Sequence, residues 1–441
     1  MRDPVVVHIV AVAVIMGGAY ALASWRRLSV ELRMLAAAVA GGICGAFVGT
    51  PPVGELARHL VEGTLTYLDV MLVFVTATVF IAIVAESGGV DYLVRGIIRA
   101  FHGQRIVALL LLMILLLIPG ALTGAGSVSI LTVGAPSALA MGYLGVPKRR
   151  VAAILFIIAG LAAAAPPVNI WAMIICAGTA IPYAGFEYTL GIPVLLLGTL
   201  TILILGWKRE HRMSRDDVLQ AMPRTPDRMS WWRVLLPFLA FFGTVVMSRA
   251  WPFSTPVLGL PLQFTIAAVV AWAVSPKPIH ILTLSRDTVK RLMPLLATMA
   301  VVGSLQQVMT VTGVRGLISY AVISAPLLLL FVLLVFLIPI SEGVLTYGGA
   351  AIIGIPLVWY LNSIGLHATV VIAGLSLLWP LGDGLPPTAL IGRLTVMVTG
   401  YRESYWSFLR QTWLPWLLIT AAGILMIAFS ARLRFLVDWS L

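Results

Sequence analysis

LIPGALTGAGSVSILTVGAPSALAMGYLGV, residues Leu117 to Val146, and LIPISEGVLTYGGAAIIGIPLVWYLNSIGL, residues Leu337 to Leu366, decide how this chain folds. They are two copies of one pattern. Pro119, Pro136, Gly145, Pro166 and Pro167 each recur as the same residue type 220 positions later, at Pro339, Pro356, Gly365, Pro386 and Pro387, without a gap. Upstream, SGGVDYLVRGIIRA (Ser87 to Ala100) parallels VTGVRGLISYAVISA (Val311 to Ala325). Chance similarity between apolar segments scatters leucines. It does not preserve Pro and Gly spacing, and an internal repeat of this kind defines the architecture. Each copy reads as a span, a short amphipathic arm, a Gly/Pro-interrupted hairpin, a helix broken at Pro-Pro, and a closing span.

The rest of the chain sets the solvent. Of its 441 residues 60% are hydrophobic and only 10% charged, against about 25% charged in a soluble domain. Apolar runs such as Val5 to Ala23, Met71 to Val84, Ile106 to Ile118, Val234 to Met247 and Trp413 to Phe429 approach the roughly 20 residues a helix needs to cross a bilayer. The first run lacks a basic flank before it and has Arg26 and Arg27 after it, so it reads as a retained span rather than a cleaved signal. The net charge of +12 is spread over short loops, which fits membrane topology and not nucleic acid. Cys44 and Cys176 lie in apolar text without metal or disulfide spacing.

Basic residues then orient the spans. Arg95, Arg99 and Arg105 on the first arm and Lys148, Arg149 and Arg150 at the first hairpin exit belong on the cytoplasmic side. The second arm carries only Arg315, and its hairpin exits at Gly365-Leu366-His367. The two halves are therefore expected to be inverted. The expected architecture is an all-α polytopic membrane protein with two re-entrant hairpins, two Pro-broken helices and about ten full crossings. Residues 1–63 are N-terminal scaffold spans, with an external loop from Thr50 to Thr64, and 64–207 are the first inverted repeat. Residues 208–233 form a cytoplasmic linker holding Arg209 and Arg212, 234–291 are central scaffold spans with Trp251 to Thr255 outside, 292–430 are the second repeat and 431–441 a tail. Both termini are expected on the periplasmic side of a bacterial inner membrane.

Paired breaks in corresponding membrane segments point to a transport site, because irregular backbone at that depth survives only where protein or a watery cavity satisfies it. Four breaks qualify. Thr123, Gly124 and Gly126 in the first hairpin, and Ser341, Glu342, Gly343 and Thr346 in the second, offer carbonyls and hydroxyls to a hard cation, as does Asp383 between its glycines. Ser127, Ser129, Asn169, Pro167, Thr388 and Pro387 fall where half-helix N-termini would meet a substrate carboxylate. Against this stands the plainer reading of Gly and Ser as close-packing residues. Glu342 is either a cation or proton ligand or a cap on the hairpin tip. Arg393 reads either as the partner of a substrate anion or, preferred, as snorkelling to the cytoplasmic interface, and Gln306 and Gln307 as helix bridges.

At these residues the chain resembles the large membrane subunit of the tripartite ATP-independent periplasmic (TRAP) transporters, within a wider ion transporter superfamily. The likeness runs from about Met34 to Phe429 and is carried by LVEGTLTYLDVMLVF, AESGGVDYLVRGIIRAF, the Gly/Ser-rich turn Gly124 to Ser129, AAPPVNIWAMI and LPPTALI. It implies a sodium-driven elevator importing a small carboxylate. A small four-helix membrane subunit and a periplasmic substrate-binding protein are the implied partners. The family shows an acidic residue followed by Pro at the second hairpin, where this chain has Ser341-Glu342-Gly343. A single-component proton- or sodium-coupled carrier or antiporter is the alternative within transport. An enzyme is disfavoured, since no metal cluster or nucleophile–base pair appears in the apolar core and no cofactor is implied beyond sodium as coupling ion. A channel is disfavoured because paired closed hairpins suit occlusion.

Overall fold

The computed structural model describes residues 4–48, 52–208, 210, 213–251 and 258–438, and within them every regular element is helical. Among the described residues nine helices are long and apolar enough to cross a membrane. The chain opens with α1 (Pro4–Trp25) and α2 (Val30–Val48), which pack on each other, followed by α3 (Val53–Gly63). Helix α3 replaces most of the loop expected from Thr50 to Thr64, and Thr50 itself lies outside the described residues. Its polar residues mimic loop text, but they are helix-spaced. Arg58 pairs with Glu62 at 3.0 Å one turn on, while Leu56 is buried. Helix α3 reaches α15 (Ile281–Val311) backbone to backbone, where a Cβ on Gly303 would lie 2.1 Å from the Gly63 carbonyl oxygen.

The first repeat follows as α4 (Leu68–Glu86), the arm α5 (Gly89–Phe101), α6 (Arg105–Thr123), α7 (Gly126–Ser129), a π-turn at Ile130–Gly134, α8 (Ala135–Tyr143), α9 (Lys148–Ala164), α10 (Ile170–Thr179) and α11 (Phe186–Gly206). The linker holds α12 (Arg215–Ala221), and the central spans are α13 (Trp231–Ala250), α14 (Leu260–Ala273) and α15. The second repeat runs through the arm α16 (Val314–Ser324), α17 (Leu327–Leu345), a π-turn at Ala350–Gly354, α18 (Ile355–Ser363), α19 (Ala368–Gly382) and α20 (Leu390–Thr399). It closes with α21 (Tyr405–Leu409), α22 (Trp413–Ala428) and the short α23 (Phe435–Asp438).

The two halves thus share one succession of elements, down to π-turns at the same offset as the prolines. Each π-turn ends two residues before a proline, Pro136 or Pro356, whose missing N–H interrupts the regular ladder. Both arms start from a left-handed glycine, Gly88 or Gly313, and both hairpins leave through another, Gly145 or Gly365. The Pro166-Pro167 and Pro386-Pro387 bonds are both cis.

Two differences from the sequence reading concern boundaries. The division between residues 291 and 292 falls inside α15, a single helix of 31 residues. The charged residues Arg286, Lys290 and Arg291 lie within the helix, not at its end. In the second hairpin the left-handed turn residue is Thr346 (φ 52), two positions later than the 220 offset from Gly124 (φ 69) requires. Ser341, Glu342 and Gly343 therefore lie in the last turns of α17, not in the hairpin turn. Arg209 and Arg212, residues 252–255 of the expected outer loop, and the extreme ends whose sidedness was assigned all lie outside the described residues.

Packing separates the elements into two groups. Helices α2, α3, α4, α13, α14 and α15 pack among themselves, with Phe241 stacked on Phe264 at 4.4 Å. The other group centres on α9 and α19, whose stretches Val151 to Ala164 and Val370 to Gly382 are buried on all sides, as a helix apolar all round must be. Helix α9 packs on α6, α11, α19 and α20, and α17 packs on α19. Each hairpin is tied to its own broken helix. The Val168 N–H donates to the Ala121 carbonyl at 3.0 Å, and the Thr388 N–H and Oγ1 donate to the Gly343 carbonyl at 3.2 and 3.0 Å. The linker is fastened to the first arm, with Arg95 Nη1 donating to the carbonyls of Leu219, Met222 and Pro223.

Candidate functional site

A cavity of about 670 Å³ lies on the seam between the two groups, within the size range of small-molecule sites. One wall is α2 with its preceding loop, α4 and α15. The other is the first hairpin, the turn residue Thr346, and the Pro387–Leu394 stretch. Four of the residues expected at the site meet here: Ser127, Thr346, Pro387 and Thr388. Two backbone features mark the same wall. Thr346 (φ 52) and Ala389 (φ 46) are non-glycine residues at positive φ, which costs about 1–3 kcal/mol each and collects at functional sites.

The cavity is strongly cationic. Arg27, Arg33, Arg291 and Arg393 line it, against Glu31 alone. Among the described residues none of the four arginines forms an ion pair. Arg393 Nη2 donates to the Pro387 carbonyl at 2.8 Å and Arg33 Nε to the Leu28 carbonyl at 2.7 Å, while the buried Arg33 Nη1 has no hydrogen-bond partner. Sequence reasoning weighed Arg393 as the partner of a substrate anion but preferred the interface, and gave the other three no site role. Only their basic character was visible, and they converge from separate parts of the chain.

The two broken helices differ where their second halves begin. The N-cap of α10 is Asn169, whose Oδ1 accepts from the Ala172 N–H at 2.9 Å and whose Nδ2 donates to the Ala164 carbonyl at 3.0 Å. Its amide is committed to bridging the break, and it is fully buried. The N-cap of α20 is Ala389, with no side-chain cap. That helix start, flanked by Thr388 and Arg393, faces the cavity. The Gly392 N–H there donates to the Asp383 carbonyl at 3.2 Å, and the positive end of the helix dipole favours an anion.

Behind the cavity wall lies a second polar group. Glu342 and Asp383 are buried in Coulombic reach of each other and of Tyr347. Trp171 Nε1 donates to Glu342 Oε2 at 2.8 Å, and no lysine or arginine hydrogen-bonds either carboxylate among the described residues. Helices α17 and α19 touch at this point, since a Cβ on Gly382 would lie 2.0 Å from the Pro339 carbonyl oxygen and 2.7 Å from Glu342 Cβ. Among the described residues no three His, Cys, Asp or Glu side chains converge to form a transition-metal donor set.

The remaining candidates are placed by packing. Thr123 Oγ1 donates to the Pro119 carbonyl at 2.7 Å, and Ser129 Oγ accepts from the Gly120 N–H at 2.8 Å. Gly124 supplies a left-handed cap, and a Cβ on Gly126 would lie 2.3 Å from the Ala159 carbonyl oxygen. Ser341 Oγ donates to the Ile338 carbonyl at 2.7 Å and accepts from Trp379 Nε1 at 3.3 Å. Pro167 faces a different cavity of about 500 Å³, lined by apolar residues alone. Gln306 accepts a short hydrogen bond from the Tyr67 hydroxyl and so does bridge helices.

No protein-family profile and no curated protein matches the chain. Its structure is similar to that of the YdaH transporter of Alcanivorax borkumensis, whose crystal structure is described as revealing an unusual topology. The TM-score is 0.58 at 14% sequence identity, covering 86% of this chain and 88% of the other. At that identity the likeness is one of fold. The chain is a polytopic helical membrane protein with a transporter fold.

Proposed function

We propose that this protein is a secondary active carrier that imports a small organic anion. The observation that supports the reading most directly is the cationic cavity on the seam, with hairpin and broken-helix residues on one wall and scaffold helices on the other. A site so divided changes its access when one wall slides past the other, which is the elevator motion. The four arginines lining it stand in segments that charge asymmetry assigns to the cytoplasm or its interface, so this conformation is read as open inward. The resemblance to TRAP permeases supports a carboxylate as the anion, sodium as the coupling ion, and a small membrane subunit and a periplasmic binding protein as partners.

Coupling is assigned to Glu342 and Asp383. Each bare charge taken from water costs roughly several kcal/mol, and like charges side by side add to it. A mobile cation entering between them removes that cost. Carbonyls and hydroxyls around the breaks suit sodium. The fully buried carboxylate pair itself favours a second reading, a proton-coupled carrier that works without partner subunits.

The test is uptake of radiolabelled mono- and dicarboxylates by proteoliposomes holding the purified chain, under an imposed sodium gradient or an imposed pH gradient. Accumulation with either gradient is expected, and Glu342→Gln should remove the ion dependence more than the affinity for the anion. Accumulation indifferent to both gradients would falsify the coupled-carrier reading.

A further inference from the structure

We infer that the apolar cavity beside Pro166 and Pro167 takes one acyl chain of an anionic phospholipid from the inner leaflet, and that the bound lipid holds the moving body at its inner position. The second clause rests on the elevator reading given above; the first does not. The cavity, of about 500 Å³, is a groove between α6, the Pro-Pro break and α11 of the body and α4 and α13 of the scaffold, with the arm α5 at one end. Its rim residues Ile114, Leu195, Leu235 and Phe242 are exposed on helices long and apolar enough to cross the membrane, so hydrocarbon and not water adjoins it. No lining residue carries a polar side chain, and a polar group buried there would go unpaired. The occupant must be apolar.

Length and charge choose among apolar occupants. Along α13 the groove runs from Val234 to Phe242, about 12 Å of helix. That suits a chain confined to one leaflet, about 15 Å of hydrocarbon, and falls well short of the roughly 30 Å of a spanning helix from a partner or a second copy. The arm end of the groove, which charge asymmetry places towards the cytoplasm, is suited to a headgroup. Trp231 packs edge-on against Tyr92 at 5.5 Å, and a Cβ on Gly96 would lie 3.3 Å from the Trp231 ring, which fixes the start of α13 on the arm. Arg233 directly precedes the groove residue Val234, and Arg99 stands one turn beyond Gly96. Among the described residues neither forms an ion pair. Trp232 beside them is exposed, and indole rings level with basic side chains mark the zone where anionic headgroups are attracted.

The groove belongs to one position of the body. Pro166 lies two residues past α9, a 17-residue helix that starts at Lys148, and so about 25 Å from that basic end. It nevertheless shares the groove with Val84, two residues before α4 ends at Glu86. An outward slide would carry Pro166 away from Val84 and Val90 and take the groove apart. A ligand that binds one state alone shifts the population towards it.

The experiment places the full purified chain in nanodiscs holding equal parts of phosphatidylcholine and phosphatidylglycerol with the same acyl chains, and native mass spectrometry then counts the lipid that stays bound. Phosphatidylglycerol should be retained several-fold over phosphatidylcholine. Gly191→Phe fills the groove and Arg233→Gln removes a headgroup partner, so each should abolish that preference. Gly18→Phe adds the same bulk to α1, where a Cβ meets nothing within 4 Å, and should leave it intact. If Gly191→Phe fails to fold, Arg233→Gln decides. Equal retention of the two lipids, or a preference that both variants leave untouched, would overturn the site. So would a disulfide between two chains through Leu235→Cys, which would put a second copy in the groove. The hold on the body is read from the distance between spin labels at Leu282→Cys of the scaffold and Arg402→Cys of the body. Phosphatidylglycerol should raise the share of the inner position about fivefold or more over phosphatidylcholine. Lipid retained without any such shift would overturn the hold. One fixed distance under every condition would sink the elevator reading and the hold together, while selective retention would still support the lipid site.

Discussion

The first broken helix is closed by packing at its second half, whereas its counterpart in the second repeat lines the cationic cavity together with the first hairpin. In the first half Gly126 presses on the Ala159 carbonyl, Asn169 fills the start of α10, and Pro166 and Pro167 face an all-apolar space. In the second half Thr346 turns the hairpin, Ala389 gives α20 no side-chain cap, and Thr388 and Arg393 face the cationic cavity, with Glu342 and Asp383 behind. The same backbone device, a Pro-Pro break tied by hydrogen bonds to its hairpin, thus faces an all-apolar space in one half and a cationic cavity in the other. A repeat supplies the geometry twice. A few polar residues then set the two copies apart.

The comparison breaks most completely if the two groups of helices do not slide. With Cys44 and Cys176 replaced, a disulfide between cysteines at Thr78 of α4 and Leu131 of the first hairpin, which line the cavity from opposite walls, should abolish uptake while binding survives. A crosslink within the body, between positions of α9 and α19, should spare both. Uptake that persists with the seam locked would favour halves rocking about a fixed site.

A smaller effect separates the two tips. Gly126→Ala must push a Cβ against a main-chain carbonyl, so a loss of about 1–3 kcal/mol is expected. At Gly348, which also begins the descending limb, the nearest obstacle is the flexible Met34 side chain at 3.2 Å, and Ala should change stability by under about 0.5 kcal/mol. Urea or thermal unfolding in detergent measures both. Equal losses would mean that the tips are packed alike.

The polar residues at the breaks should part in kind as well as in size. Asn169→Ala removes a helix cap and should cost about 1 kcal/mol of stability with little change in anion affinity. Thr388→Ala should do the reverse, weakening anion binding several-fold while the Thr388 main-chain tie to Gly343 holds the fold. Paired melting and calorimetry on each variant would expose a shared structural role.

The smallest effect is expected at the hairpin exits. Burial, then the nearby Arg434, holds His367 below the ordinary histidine value, with Asp438 opposing. Its stabilising contribution is therefore complete above about pH 6.5 and is lost as pH falls through the lower folded value. The equivalent position in the first half is Pro147, which does not titrate. With the intrinsic slowing of exchange at lower pH divided out, amide protection around residues 364–368 should fall between pH 7.5 and 5, and His367→Gln should flatten the response. An equal loss of protection at residues 144–150 would trace it to another group.

The sequence by itself determined the solvent, the repeat and the places where helices break, because hydropathy and the Pro/Gly offset of 220 act locally and survive without coordinates. It also picked out Ser127, Thr346, Pro387 and Thr388, which do line one cavity, since interrupted backbone must face a space or a partner. It could not show that α3 and the start of α15 are helical, because polar residues on a helix leaving the membrane read like loop text. Nor could it show the two-residue slip that moves Glu342 from the turn into a buried helical contact with Trp171. The convergence of Arg27, Arg33, Arg291 and Arg393 was decided by tertiary structure alone. Their positions span more than 360 residues of chain, and only the packing of α2 and α15 opposite α20 makes them neighbours across one cavity.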